Sequence, residues 1–91
     1  MASKLKYDVY SMVSFSQMIQ AYRQKQDLIR LADVFAKMVE TFPNEASYRV
    51  ALAMAYRATG EFGKARTEAI KAAELDPAIR QEADAFLRTL P

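Results

Sequence analysis

Apolar residues recur along this chain at helical spacing. Phe15, Met18, Ile19 and Tyr22 fall at i, i+3, i+4 and i+7, and Leu28, Leu31, Ala32, Phe35, Val39 and Phe42 continue on a second stripe. Pro43-Asn44 interrupts the pattern, and Asn44 can cap a third helix over about 45–59 that turns Tyr48, Leu52, Ala55 and Tyr56 inward. Gly60 can take the left-handed conformation that ends such a helix. A fourth helix is predicted over about 61–75, with Phe62, Ala65, Ala69, Ala72 and Ala73 on its inner face. Asp76-Pro77 then reads as a helix start, because aspartate caps the first amides and proline at the first position has no amide to leave unpaired. The last helix turns Ile79, Ala83, Phe86, Leu87 and Leu90 inward and Arg80, Gln81, Glu82, Asp84 and Arg88 outward. Asp33 with Lys37, and Asp84 with Arg88, stand at i,i+4 and are expected to support their helices by about 0.3 kcal/mol each.

The pattern predicts an all-α chain, and 91 residues with 52% hydrophobic content suit one domain with one core. Composition then narrows the chemistry. With no cysteine there is no disulfide, thiolate metal site or thiol nucleophile, and with no histidine the commonest general base and metal ligand is missing too. Glu82 and Asp84 fall on different helix faces, and Glu40, Glu45, Glu61, Glu68 and Glu74 are spread over loops and outer faces. No glycine-rich phosphate loop or metal-ligand spacing occurs. The expectation is a protein that is not an enzyme and takes no cofactor or metal. Thirteen basic and 11 acidic residues are interspersed, leaving a net charge of +2, which argues against a nucleic-acid partner. No apolar run approaches the roughly 20 residues of a membrane span, and Asp8, Ser11, Ser14, Ser16 and Gln17 interrupt any signal-peptide core, so no membrane contact by this segment is expected and the cytoplasm is the default compartment.

The step from Pro43 to Pro77 has the length of one helix-turn-helix repeat, and a shift of that size lays Met18 on Leu52, Tyr22 on Tyr56, Asp27 on Glu61 and Leu28 on Phe62. Residues 46–79 resemble the tetratricopeptide repeat (TPR) at Leu52, Ala53, Tyr56, Gly60, Glu61, Phe62, Ala65, Ala72 and the ending Leu75-Asp76-Pro77. The resemblance implies antiparallel helix-turn-helix repeats, about two TPR units plus a C-terminal capping helix, in a short right-handed solenoid. It divides the chain into an N-terminal arm (1–11, with Tyr7 and Tyr10), a degenerate first repeat (12–45), a second repeat (46–76) and a capping helix (77–90). The residues support this independently, since small side chains at Ala53, Ala65, Ala69 and Ala72 let paired helices approach closely. In the first unit Ile19, Leu31 and Met38 stand where small residues are usual, and Gln26 replaces the turn glycine, so its helices are expected to sit further apart.

A TPR array holds its ligand on the concave face lined by the first helix of each pair. Carried onto this chain, that face is Val13, Ser16, Gln17, Gln20, Arg23 and Gln24, then Ser47, Val50, Ala51, Met54, Arg57 and Ala58, then Gln81, Asp84, Ala85 and Arg88. Gln17, Gln20, Arg23, Gln24, Val50, Met54, Arg57, Asp84 and Arg88 are the expected binding residues, and the expected partner is a protein or peptide segment. Arg23 and Arg57 occupy equivalent places and can offer guanidinium groups to a carboxylate. The residues of the TPR class that clamps chaperone tails are absent, being Ser16, Gln20, Ala51, Gln81 and Ala85 here. Tyr22, Phe35, Tyr56, Phe62 and Phe86 read as core. The plainer alternatives are that the glutamines and arginines only solvate a helix face, and that Met54 only packs. For function the alternative is self-association as a homodimer through Met12, Val13, Phe15 and Val34. The stretches Lys71 to Pro77 and Ala83 to Leu87 are also similar to the TPR tails of larger bacterial envelope proteins of the O-antigen ligase-like kind.

Overall fold

A computed structural model of the chain describes residues 24–91, together with Gln17 and Ile19. Among the described residues there are helices and no strands. α1 spans Lys25–Thr41, α2 Ala46–Thr59, α3 Phe62–Leu75 and α4 Arg80–Arg88, with one 3-10 turn, Pro77–Ile79, leading into α4.

The break between α2 and α3 is set by Gly60, whose φ of 87° lies in the left-handed region that β-carbon sterics close to other residues. Its amide donates to the Arg57 carbonyl, and the Glu61 amide reaches back to the Tyr56 carbonyl at 2.8 Å, so the last carbonyls of α2 are satisfied as the chain reverses. With so short a connection, two packed helices of equal length must run antiparallel. At the far end of α3, Asp76 Oδ1 accepts from the Ala78 amide at 3.0 Å and Pro77 fills the first helical position, as expected, but the cap opens a 3-10 turn before the α-helix proper.

Two helix starts differ from expectation. α2 is preceded by Glu45 in extended geometry, not by an Asn44 cap, and no side-chain cap bond forms. Asn44 lies inside the turn that reverses the chain after Pro43, where its side chain does not meet the free amides. α1 begins at Lys25, placing Gln26 inside the helix instead of in a turn. The physical reason is the missing glycine: one repeat further along Gly60 breaks the chain, whereas glutamine is a good helix former, and α1 runs on to Gln24, whose ψ of 130° ends it. The step that carries Pro43 to Pro77 also carries the end of α1 at Thr41 to the end of α3 at Leu75, and the start of α2 at Ala46 to the start of α4 at Arg80.

α2 is the central element, and burial surrounds it. One face packs Ala51, Leu52 and Ala55 against Leu31, Ala32, Phe35 and Val39 of α1, with Phe35 only 2% exposed. The other places Ala46 and Val50 against Ala72 of α3 and Ile79. Ala65, Ala69 and Ala72 line the buried side of α3, and their small volume lets it lie close on its neighbours. Ile19, helical and half-buried, adds to the first cluster. The expected wider spacing within the first unit, like the N-terminal arm, falls outside the described residues.

Two aromatic expectations change. Phe42 is 53% exposed, because α1 ends at Thr41 and its ring turns edge-on to Tyr48, 6.0 Å between centroids, instead of continuing the inner stripe. Phe62 is exposed as well, since it opens α3 beside the Gly60 turn, on the flank next to the buried alanines. Nor do Asp33–Lys37 and Asp84–Arg88 close as ion pairs. Pairs that do form among the described residues are Asp27–Arg30, Glu61–Lys64 and, across helices, Arg49–Glu68.

Arg49 joins three segments. Its Nη1 donates to Glu68 Oε1 at 2.9 Å, its Nε donates to the Pro43 carbonyl at 3.1 Å, and the two charged side chains are only 14% and 15% exposed. The pair therefore ties the turn before α2 to the middle of α3.

Candidate interaction surface

Val50, Met54 and Arg57 stand at i, i+4 and i+7 on α2 and share one face by the helical repeat. That face looks toward α3, the 3-10 turn and α4. At its N-terminal end Val50 is buried with Ile79 and Ala72, and Met54, half-buried, packs on the same cluster. Val50 is thus a floor residue, only 8% exposed, beneath the stripe on which it was expected to bind. The same holds for Ser47 and Ala51, which are buried because α2 is enclosed by neighbours.

At the C-terminal end of the stripe Arg57 reaches across to α4. Its guanidinium carbon lies 4.5 Å from the centroid of the Phe86 ring, and Nη1 donates to Thr89 Oγ1 at 2.7 Å. The Thr89 hydroxyl donates in turn to the Phe86 carbonyl at 2.6 Å, so the chain of donors is complete. Such a stacked guanidinium contributes about 0.5–2 kcal/mol, toward the low end here because Arg57 remains partly exposed. Burial lowers its pKa by disfavouring the charged form. Arg57 is therefore a held cation, anchored by groups from the last helix and its C-cap. Phe86 and Thr89 could not be assigned to it from local sequence, since the bond to Thr89 spans 32 positions.

Gln17 and Gln24 are exposed, Gln24 at the break before α1. Asp84 and Arg88 are exposed on α4, away from the buried Ala83 and Leu90, and neither pairs with the other or with Arg57. Gln20 and Arg23 lie outside the described residues, so the pairing of Arg23 with Arg57 does too. The structure brings Arg57 together with Phe86 and Thr89, and Met54 with Val50 and Ile79, along one face of α2.

Around the turn that follows, Lys64 bonds the Glu61 carboxylate at 3.0 Å and sits 5.5 Å over the Tyr56 ring. That hydrogen bond is the main cause holding the Glu61 carboxyl below its ordinary range and raising the Lys64 ammonium above its own. Desolvation, the largest cause, pushes the Tyr56 phenol up. At the opposite end of α2 an open cleft of about 320 Å³ is lined by Pro43, Asn44, Arg49, Lys71, Glu74 and Leu75. Its arginine is already consumed by Glu68. Among the described residues no three acidic side chains gather to hold a metal, and no helix is long and apolar enough to cross a membrane.

No protein-family model matches the chain, and comparison with curated proteins and with solved structures finds no significant match either.

Proposed function

We propose that the chain is a TPR-type module that captures a peptide or protein segment along the face formed by α2 and α4. The observation that carries this reading is the α2–α3 hairpin with its recurrence: a glycine-broken antiparallel pair with buried alanines at the contact, and a helix beginning again one repeat step after the first. A solenoid built from such pairs leaves the first helices side by side, and here Arg57 of α2 meets Phe86 of α4 and Thr89 just after it, while Met54 packs on the cluster of Val50, Ala72 and Ile79 one turn away. The outward face of α4 carries Arg80, Gln81, Asp84 and Arg88, a polar finish that suits a capping helix. Panning a random peptide library against the purified chain tests the proposal. Enriched peptides should bind the wild type and lose affinity for Met54→Arg, which puts a long cation on that face, with circular dichroism checking that the variant keeps its helical content. Enrichment no greater than on a blank support, or equal binding to Met54→Arg, would count against it.

Self-association through Met12, Val13, Phe15 and Val34 is the second reading; the first three lie outside the described residues, and Val34 favours it at 54% exposure beside a shallow depression formed with Asp27, Arg30 and Leu31. Ile29, the other exposed aliphatic of α1, lies roughly 140° away around the helix, so the two do not merge into one apolar patch. Light scattering across a wide concentration range decides it. A mass fixed at 10.3 kDa removes the second reading, and a dimer places it first.

A further inference from the structure

Of the two half-buried cations among the described residues, Arg49 meets a carboxylate, that of Glu68, as the exposed Arg30 and Lys64 meet Asp27 and Glu61. Arg57 is the half-buried cation that does not. Its one hydrogen-bond partner is the neutral Thr89 hydroxyl, its stacking partner is the neutral Phe86 ring, and the carboxylates of α4, Glu82 and Asp84, form no ion pair with it. A cation partly withdrawn from water without a counter-ion is costly, and desolvation is the one cause acting on its titration. Arg49 shows how this fold treats an arginine used as a structural tie: it receives both a carboxylate and a backbone carbonyl.

The geometry also leaves donors free. A guanidinium carries five N–H groups, and one of them is used. The Phe86 ring lies against the group and the Thr89 bond holds one of its N–H donors, so the remaining donors form a planar fork on a partly anchored side chain. A planar fork of this kind matches a carboxylate, which accepts two parallel N–H bonds.

We infer that Arg57, stacked on Phe86 and anchored through Thr89, is a receptor for a carboxylate carried by an acidic peptide segment. The inference rests on the peptide-binding reading above and names the chemistry of its ligand. Phe86 and Thr89 are positioning residues that act through Arg57.

The test follows the Nε–Hε resonance of Arg57, identified by its loss in Arg57→Lys, in the full chain at constant ionic strength. Sodium acetate is titrated against sodium chloride, and N-acetylated, C-amidated tetraglutamate against tetraglutamine. N-acetylated tetraalanine with a free C-terminus separates terminal from side-chain carboxylates. Acetate and at least one of the acid-bearing peptides should shift the resonance saturably, chloride and tetraglutamine should not, and Phe86→Leu should weaken the response several-fold while broadening the resonance of a less firmly held group. A response to acetate no larger than that to chloride overturns the inference. The two failures are distinguishable. If library peptides bind the groove but bind Arg57→Gln undiminished, where a loss of about tenfold is expected, the carboxylate receptor falls and peptide capture stands. If the resonance saturates with acetate but with neither acid-bearing peptide, and no library peptide is enriched, Arg57 is a small-anion site only, and both peptide capture and its acidic ligand are overturned.

Discussion

Replacing Glu68 with alanine removes the carboxylate that faces Arg49 Nη1 at 2.9 Å and leaves a cation that is mostly out of water. Exposed ion pairs are worth about 0.2–1 kcal/mol, whereas breaking a fully buried one costs about 3–5 kcal/mol. With side chains 14% and 15% exposed, this pair stands between those limits, and Glu68→Ala is expected to cost about 2 kcal/mol. Arg49→Met should cost about as much, because it strands Glu68 and takes the Nε donor from the Pro43 carbonyl. The double variant should also lose about 2 kcal/mol, not twice that, giving a coupling of about 2 kcal/mol, because no unpaired charge remains. Urea unfolding followed by far-UV circular dichroism measures each term. A loss of about 2 kcal/mol should lower the midpoint by about 1–2 M, a large fraction of what a domain of this size holds. A Glu68→Ala variant within about 0.5 kcal/mol of the wild type, or additive single losses, would show that the pair is a solvated surface contact and would refute the reasoning.

Three further outcomes follow from the same structure. Gly60→Ala should destabilise by about 1–2 kcal/mol, although a β-carbon there meets nothing within 4 Å, because the cost is the left-handed backbone alone; Gly63→Ala, helical and equally unobstructed, should stabilise by about 0.5–1 kcal/mol, both read from urea midpoints. Ala72→Leu, on the face of α3 fully buried against α2 and Ile79, should cost about 1–3 kcal/mol by overpacking in the same measurement. The Tyr56 pKa is raised on folding, so its contribution to stability is complete below the ordinary tyrosine range and is lost as pH climbs through the raised value; phenolate absorbance should show one tyrosine ionising late, and Tyr56→Phe should remove that late component.

The parts of the fold that local backbone chemistry decides were legible in the sequence. Gly60 ended α2 where a left-handed residue was needed, Asp76-Pro77 opened the next helical turn, and the alanines of α3 proved to be its buried side. Starts without such a signal were harder. Gln26 offered no glycine to stop α1, and Asn44 could be a cap or a turn residue with equal local sense. Contacts between helices were least legible, because they depend on how far each helix rotates about its axis. Glu68 looked like one more outer-face acid, yet it meets Arg49 nineteen positions away. Val50 read as groove lining and became floor, since the 3-10 turn brings Ile79 over it. Arg57 was singled out by its repeat position, but the ring and hydroxyl that hold it come from α4, and the periodicity that marked Phe86 as core gave no sign of the cation above it. The i,i+4 pairs failed for a simpler reason: at a few tenths of a kcal/mol, an exposed pair does not outweigh the freedom of two long side chains.

The central claim is that a ligand lies along α2 and α4, and amide chemical-shift mapping of the labelled chain with a library-selected peptide tests it most directly. The account predicts that the shifted amides cluster at residues 54–58 and 81–89, with Arg57 and Thr89 among the largest changes. Shifts gathered on the outer side of α1 or around the cleft between Pro43 and Leu75, with α4 unmoved, would contradict it.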